Sequence, residues 1–448
     1  MSSWKSSADL AILNARILVD QKILDGGIAI KNGKIMAVGR QESLPKASET
    51  IDAENGIVIP GLIDIHTHLR DLKLDYKEDF YSGTCAALAG GFTTVFDMPN
   101  TLPTTNNSMR LREKIETAKS KIVANVGFYS CFPRDENEVI RIANEGAVGF
   151  KVFLNHSNLE LNVEDNALIP MLNKAREAKK IVAVHAEDRF IIEEATKKSK
   201  NAGNDSYDAF FTVHPARAEI KAVKKMISLS RATRIHIHFC HVTTLKALSL
   251  ITEAKAEGLK ITCEVTPHHM LLTRNNPNGL NGTLITDPPL RSRMITMSFR
   301  HALGEEGIDV VASDHAPHSI NEKSAKSIWN VSPGIPGLET TLPLLLTMVK
   351  RGRLSLSRLV ELLAKKPAEI FGLDGKGAIK KGFDADLTII DFREAHISSS
   401  AFHSKAKYSP FDGWKVDGKA VKTFVGGRLV MDEGEILAKP GSGHVLHL

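Results

Sequence analysis

His66 and His68 are separated by one residue in Asp64-Ile65-His66-Thr67-His68. On an extended strand, residues two apart share a face, so both imidazoles converge on one point. Further groups of ligand type stand within or just after apolar runs: Lys151 in Gly149-Phe150-Lys151, His185, His241 after Cys240, and Asp314 in Ser313-Asp314-His315-Ala316-Pro317-His318. Neutral imidazole and carboxylate are what zinc and similar borderline divalent metals take. Four histidines and one aspartate cannot alone bridge and neutralise two dications well. Lys151 is the unusual member, because two metals would repel a cationic ammonium. A lysine that has reacted with carbon dioxide carries an anionic carbamate, with one oxygen for each metal. Two close dications can share a hydroxide, lower its pKa and polarise a scissile carbonyl. The set points to hydrolysis by an activated water.

Each residue taken singly has a structural alternative. A lone His-x-His can be a core pair, and His185 or His241 can simply pack. Lys151 can snorkel to the surface and Asp314 can cap a helix. The elements that must position these residues decide between the readings. Apolar, β-rich runs recur at 62–65, 93–97, 122–128, 148–153, 181–184, 235–240, 261–265 and 308–312. Helical patterns lie between them at 108–119, 135–145, 166–179, 215–229 and 244–257. Eight alternating β and α segments predict an α/β fold, a (β/α)8 TIM barrel, whose chemistry sits at the C-terminal strand ends. Five strand ends then deliver His66, His68, Lys151, His185, His241 and Asp314 to one mouth.

The two chain ends read differently. Short strands at 11–19, 27–31, 34–38 and 57–59 include an Asn32-Gly33 hairpin signal. Strands at 386–391, 420–425 and 428–431 carry Gly426-Gly427 as a second turn. The ends are expected to pair into one small β-sandwich, giving 1–57 and 376–448 as a sandwich around a barrel at 58–375. The 266–307 connection is long for a barrel loop, which marks it as functional.

Composition limits the partners. The 448 residues carry a net charge of +6, with 42% hydrophobic and 25% charged residues. This is an ordinary globular chain, with no basic patch for nucleic acid and no apolar run that could span a membrane. Four scattered cysteines, 85, 131, 240 and 263, read as free thiols in a reducing compartment, so a cytoplasmic location is expected. Alternation on the sixth strand turns His236 and His238 away from the face of His241. His156, His301, His396, His403, His444 and His447 read as solvated.

At these residues the sequence resembles the dihydroorotases of the cyclic amidohydrolase superfamily, over nearly its whole length. Pro60-Gly61-Leu62-Ile63-Asp64-Ile65-His66-Thr67-His68-Leu69-Arg70 looks like the superfamily opening, with Arg70 in the dihydroorotase form. Asp97-Met98-Pro99-Asn100-Thr101 is similar to the second family segment. Ser313-Asp314-His315-Ala316-Pro317-His318 is close to the dihydroorotase signature, and the 377–391 tail resembles the superfamily return. The resemblance implies reversible hydrolysis of (S)-dihydroorotate to N-carbamoyl-L-aspartate, in pyrimidine biosynthesis. The alternative is another cyclic amidohydrolase, a hydantoinase (dihydropyrimidinase) or allantoinase. It implies two divalent metals, zinc by default. His66, His68, Lys151 and Asp314 would hold one, and Lys151, His185 and His241 the other, with Lys151 carboxylated. Asp314 would also shuttle the proton. Arg70, Asn100 and His318 would bind the substrate. Its candidate partners are a second copy in a homodimer and aspartate carbamoyltransferase.

Three departures stand out: Asp287 where relatives have Asn before Pro-Pro-Leu-Arg, Asp71-Leu72-Lys73 in place of Glu-Pro-Gly, and His214-Pro215 in place of Arg-Pro. The polar Asn155-His156-Ser157-Asn158 stretch is expected to form a lid carrying Ser157 to the substrate. Cys240 is expected to pack as a small apolar residue. Glycines in Pro333-Gly334-Ile335-Pro336-Gly337 would let backbone amides approach a ring carbonyl, or would serve a plain turn.

Overall fold

The computed structural model describes residues 7–275, 281–304 and 307–448. Parts of the 266–307 connection, at 276–280 and 305–306, lie outside the described residues. Eight parallel strands occur in sequence order around a nearly closed barrel: Leu62–Thr67, Phe92–Asp97, Asn125–Cys131, Gly149–Phe153, Ile181–His185, Ile237–Phe239, Ile261–Val265 and Val310–Val311. All eight expected runs are present. The ring joins just beyond the last strand, where Thr67 bridges His315 and the His68 amide donates to the His315 carbonyl at 2.7 Å. The segments carrying His66 and His68 on one side and Asp314 on the other are therefore hydrogen-bonded neighbours.

The helices form where local chemistry favours them. Ser108–Lys119 starts at Asn107, whose side chain accepts from the Arg110 amide at 2.9 Å. Ala216–Thr233 buries Ala218, Ala222, Met226 and Ser230, a four-residue stripe against the barrel. The third helix runs over Glu138–Asn144, shorter than expected, because the Asp135 side chain turns the chain first by accepting the Asn137 amide at 3.0 Å.

Inside the barrel, Ile63, Ile65, Phe96, Tyr129, Val148, Ala183 and Phe371 share one apolar core. Phe371 packs edge-on to Phe96 at 4.9 Å.

The chain ends pair as expected, in a single nine-stranded sheet. Ile57–Pro60 lies between Ala8–Val19 and Leu387–Asp391, parallel to the first and antiparallel to the second. Asn32 and Gly33 take the positive φ values, 51° and 72°, that their hairpin requires. Ile12, Ile28, Val58, Leu387, Ile389 and Phe424 share a core within the sheet. Ile57, Ile59, Ala420 and Val425 belong to the barrel's core instead. Thr388 and Thr423 tie the sheet to the barrel, donating to the carbonyls of Gly91 at 2.8 Å and Leu88 at 2.9 Å.

Candidate metal centre and its anion-binding flank

His66 and His68 leave the first strand on one side, and each has one ring nitrogen already held. His66 Nδ1 meets Glu264 Oε1, and His68 Nδ1 lies 2.6 Å from Asn100 Oδ1. The opposite nitrogens face Asp314: Oδ1 is 3.4 Å from His66 Nε2 and 3.3 Å from His68 Nε2. Asp64 ties this corner together, accepting the His66 and Ser313 amides at 3.0 Å each. Asp314 sits at φ 47°, a left-handed conformation that aspartate tolerates better than most residues.

His185 and His241 complete the row. Their rings are 4.6 Å apart, and His241 lies 5.2 Å from His66. Glu187 holds His185 Nε2 at 3.0 Å. His241 Nδ1 is buried without a hydrogen-bond partner among the described residues. Burial holds the His66, His68 and His241 imidazoles below their ordinary range, with Arg70 adding to the effect on His68 and His185 to that on His241. Neutral rings are the ligand form. Lys151 is fully buried; its ammonium donates to Cys240 Sγ at 2.9 Å and has no carboxylate at ion-pair distance among the described residues. Neutral imidazoles, a buried orphan nitrogen, a facing carboxylate and an unmatched lysine are a donor set that fits divalent metal.

His66, His68, Asp314, His241 and His185 thus lie side by side, and Lys151 lies buried against Cys240, which therefore does more than pack. The expectation for His238 is corrected. Its Nε2 is 3.0 Å from Glu264 Oε2, and it lies inside the barrel beneath His66. The strand stops at Phe239, and His241 takes φ 33°, so alternation cannot be counted through it. His236 is part-buried against Thr262.

Glu264 is the main residue that sequence reasoning missed. It touches His66, His238 and the His241 amide, at 3.1 Å for the last. Against the cost of its burial, His66 and His238 hold this carboxyl below its usual range. The signal was a lone acid inside the apolar run 261–265. Glu187 is similar: buried between His185, His214 and Arg291, it keeps its charge despite burial, chiefly through His214.

Beside the metal corner lies a cationic flank. The buried Arg70 guanidinium donates from Nε to the Pro317 carbonyl at 3.3 Å, and its Nη2 is 3.1 Å from His318 Nε2. No carboxylate pairs with Arg70 at ion-pair distance among the described residues. Lys77 approaches His318 Nδ1 at 3.1 Å. Burial, then Arg70 and Lys77, keep His318 well below its ordinary pKa, so its ring is neutral. Asn100 reaches the metal corner through His68. Asp71 does not face the site: it binds Lys121 at 2.8 Å and the Phe80 amide at 2.9 Å, which anchors the divergent loop.

Two loops frame the site. Ser157 is exposed, and Asn155 reaches the site instead, donating to Asp287 Oδ2 at 2.7 Å. Asp287 faces His185 at 3.7 Å and His214 at 3.6 Å. The glycine amides of 333–337 are already taken. Gly334 donates to the Ile285 carbonyl at 2.9 Å and Gly337 to His315 Nδ1 at 3.1 Å. Gly334 is needed for space and conformation: at φ 133°, a Cβ would lie 2.6 Å from the Ala316 carbonyl oxygen.

Comparison with known proteins agrees with this geometry. The amidohydrolase family model matches residues 57–430. A dihydroorotase of Methanothermobacter thermautotrophicus is 39% identical, over 97% of this chain and 96% of its own. A dihydroorotase of Methanosarcina acetivorans is 35% identical, over 98% and 95%. Among solved structures, the L-hydantoinase (dihydropyrimidinase) from Arthrobacter aurescens superposes with a TM-score of 0.95 at 32% identity, covering 98% of this chain and all of that one. With its barrel, its row of histidines and these near full-length matches, the chain belongs to the amidohydrolase family, beside the dihydroorotases.

Proposed function

We propose that the chain is a dihydroorotase, reversibly hydrolysing (S)-dihydroorotate to N-carbamoyl-L-aspartate in de novo pyrimidine biosynthesis. The observation that carries this reading is Arg70, a buried guanidinium with no acidic partner at ion-pair distance among the described residues, set directly beside a cluster of neutral imidazoles. A ring amide that carries a carboxylate satisfies both halves. The carboxylate enters the guanidinium fork while the amide lies over the histidines.

His66, His68, Asp314 and a carboxylated Lys151 would hold one divalent ion, and Lys151, His185 and His241 the other, with zinc suited to these ligands. Such ions supply an activated water and polarise the scissile carbonyl. The rest falls to the chain. Arg70, His318 and Asn100 bind and orient the substrate. Asp314 takes the proton of the attacking water and delivers it to the departing amide nitrogen. Glu264 and Asn100 fix the ring orientation of His66 and His68. In this reading 58–375 is the catalytic barrel and 1–57 with 376–448 the supporting sandwich. The enzyme works in the cytoplasm, with a second copy and aspartate carbamoyltransferase as candidate partners. No helix among the described residues is long and apolar enough to cross a membrane.

A hydantoinase is the second reading, favoured by the structural likeness to the Arthrobacter enzyme. An unsubstituted hydantoin has no carboxylate and would leave Arg70 without a counter-charge. Metal content per chain and turnover of dihydroorotate, hydantoin and allantoin decide between them. Turnover of hydantoin or allantoin without dihydroorotate would reject the proposal.

A further inference from the structure

Lys323 closes the short helix Ile320–Lys323, five residues after His318, and its side chain is only 2% exposed. Its ammonium donates to three backbone carbonyls: Ile285 at 3.0 Å, Ser332 at 2.8 Å and Gly334 at 2.8 Å. Every N–H of the ammonium therefore has an acceptor. None of the acceptors is charged, and no carboxylate pairs with it at ion-pair distance among the described residues. Burial pushes its pKa down to about 7, so the cation is held at a cost. A methionine or leucine would fill the same space without that cost.

The three carbonyls belong to two separate rim segments. Ile285 leads into Asp287, which faces His185 and His214. Ser332 and Gly334 flank Pro333, whose carbonyl lies 2.9 Å from His318 Nε2. The same segments are joined once more by the Gly334 amide on the Ile285 carbonyl, and Ile335 is joined to Ala316 at 2.8 Å. On the other side, Gly282 packs so closely that a Cβ there would lie 1.7 Å from the Lys323 carbonyl oxygen. The lysine charge also reaches His318, helping Arg70 and Lys77 to keep that ring neutral.

We propose that Lys323 is a positioning residue: its ammonium staples the 285–287 and 332–335 segments into one wall of the pocket and sets His318 and its cationic flank for the acidic end of the substrate. The identity of that substrate rests on the dihydroorotase reading, whereas the staple does not. Lys323→Met keeps the length and removes the donors. In the metal-loaded full-length protein it is expected to raise KM for dihydroorotate about tenfold, to leave kcat within about threefold and to keep the wild-type metal content. Amide hydrogen exchange should rise in both 282–288 and 332–337, and Lys323→Arg should restore part of the protection. Unchanged KM and unchanged exchange with metal retained would overturn the proposal, as would equal loss of metal and kcat. If Lys323→Met does not accumulate as folded protein, Lys323→Gln is read by the same measures. A wild-type protein inactive on dihydroorotate would reject the functional reading, while the exchange result would still decide the staple.

Discussion

Asn100 fixes the ring of His68: its side-chain oxygen lies 2.6 Å from Nδ1, while Nε2 points 3.3 Å from Asp314 Oδ1. An acceptor at Nδ1 requires the proton there and leaves the Nε2 lone pair for a metal. Asn100→Ala should therefore weaken metal binding by about 10- to 100-fold, measured by competition with a chelator. A raised KM with unchanged metal affinity would show that Asn100 acts on substrate alone.

Lys151→Ala should lose most bound metal and activity together. Short carboxylic acids, which can supply a pair of bridging oxygens, should restore part of both. Full metal content and activity in the variant would exclude a ligand role for Lys151.

Arg70→Met should weaken binding of an acidic substrate and spare turnover. Charge-assisted hydrogen bonds contribute about 1.5–3 kcal/mol, so KM should rise about 10- to 150-fold. The readout is steady-state kinetics on dihydroorotate, and an unaffected KM would contradict the clamp.

Away from the chemistry, Lys114 Nζ lies 2.5 Å from Asp97 Oδ2, both side chains fully buried, and also donates to the Met98 carbonyl at 3.0 Å. Asp97 in turn accepts the Leu69 amide at 2.7 Å, so the pair supports the approach to both Arg70 and Asn100. Lys114→Met leaves a buried carboxylate unpaired and should cost about 3–5 kcal/mol in urea unfolding. The double variant with Asp97→Asn should recover part of that loss.

Much of the site was legible because its signals are local. His66 and His68 share a face by simple alternation, and the apolar runs that contain Lys151 or lead into His185 and Asp314 are short and well bounded. Asn32-Gly33 announced its hairpin by chemistry that only positive φ satisfies. What escaped depends on neighbours across the barrel. Glu264 gains meaning only when His66, His238 and the His241 amide arrive around it from other strands. His238 was misplaced because parity was carried past the end of a three-residue strand. The glycines of 333–337 suggested free amides, but spacing cannot reveal that Ile285 and His315 already use two of them.

The Ile57–Pro60 strand is hydrogen-bonded on one side to a segment more than 300 residues downstream. During synthesis that side has no partner until the whole barrel has been made. The leading strands must therefore wait as an unfinished edge, open to pairing with other chains, and the closing strand seals them only at the end. Shortening the tail before Leu387 would leave that edge permanently open, so such truncations should aggregate even though His66, His68, Lys151, His185, His241 and Asp314 are all retained.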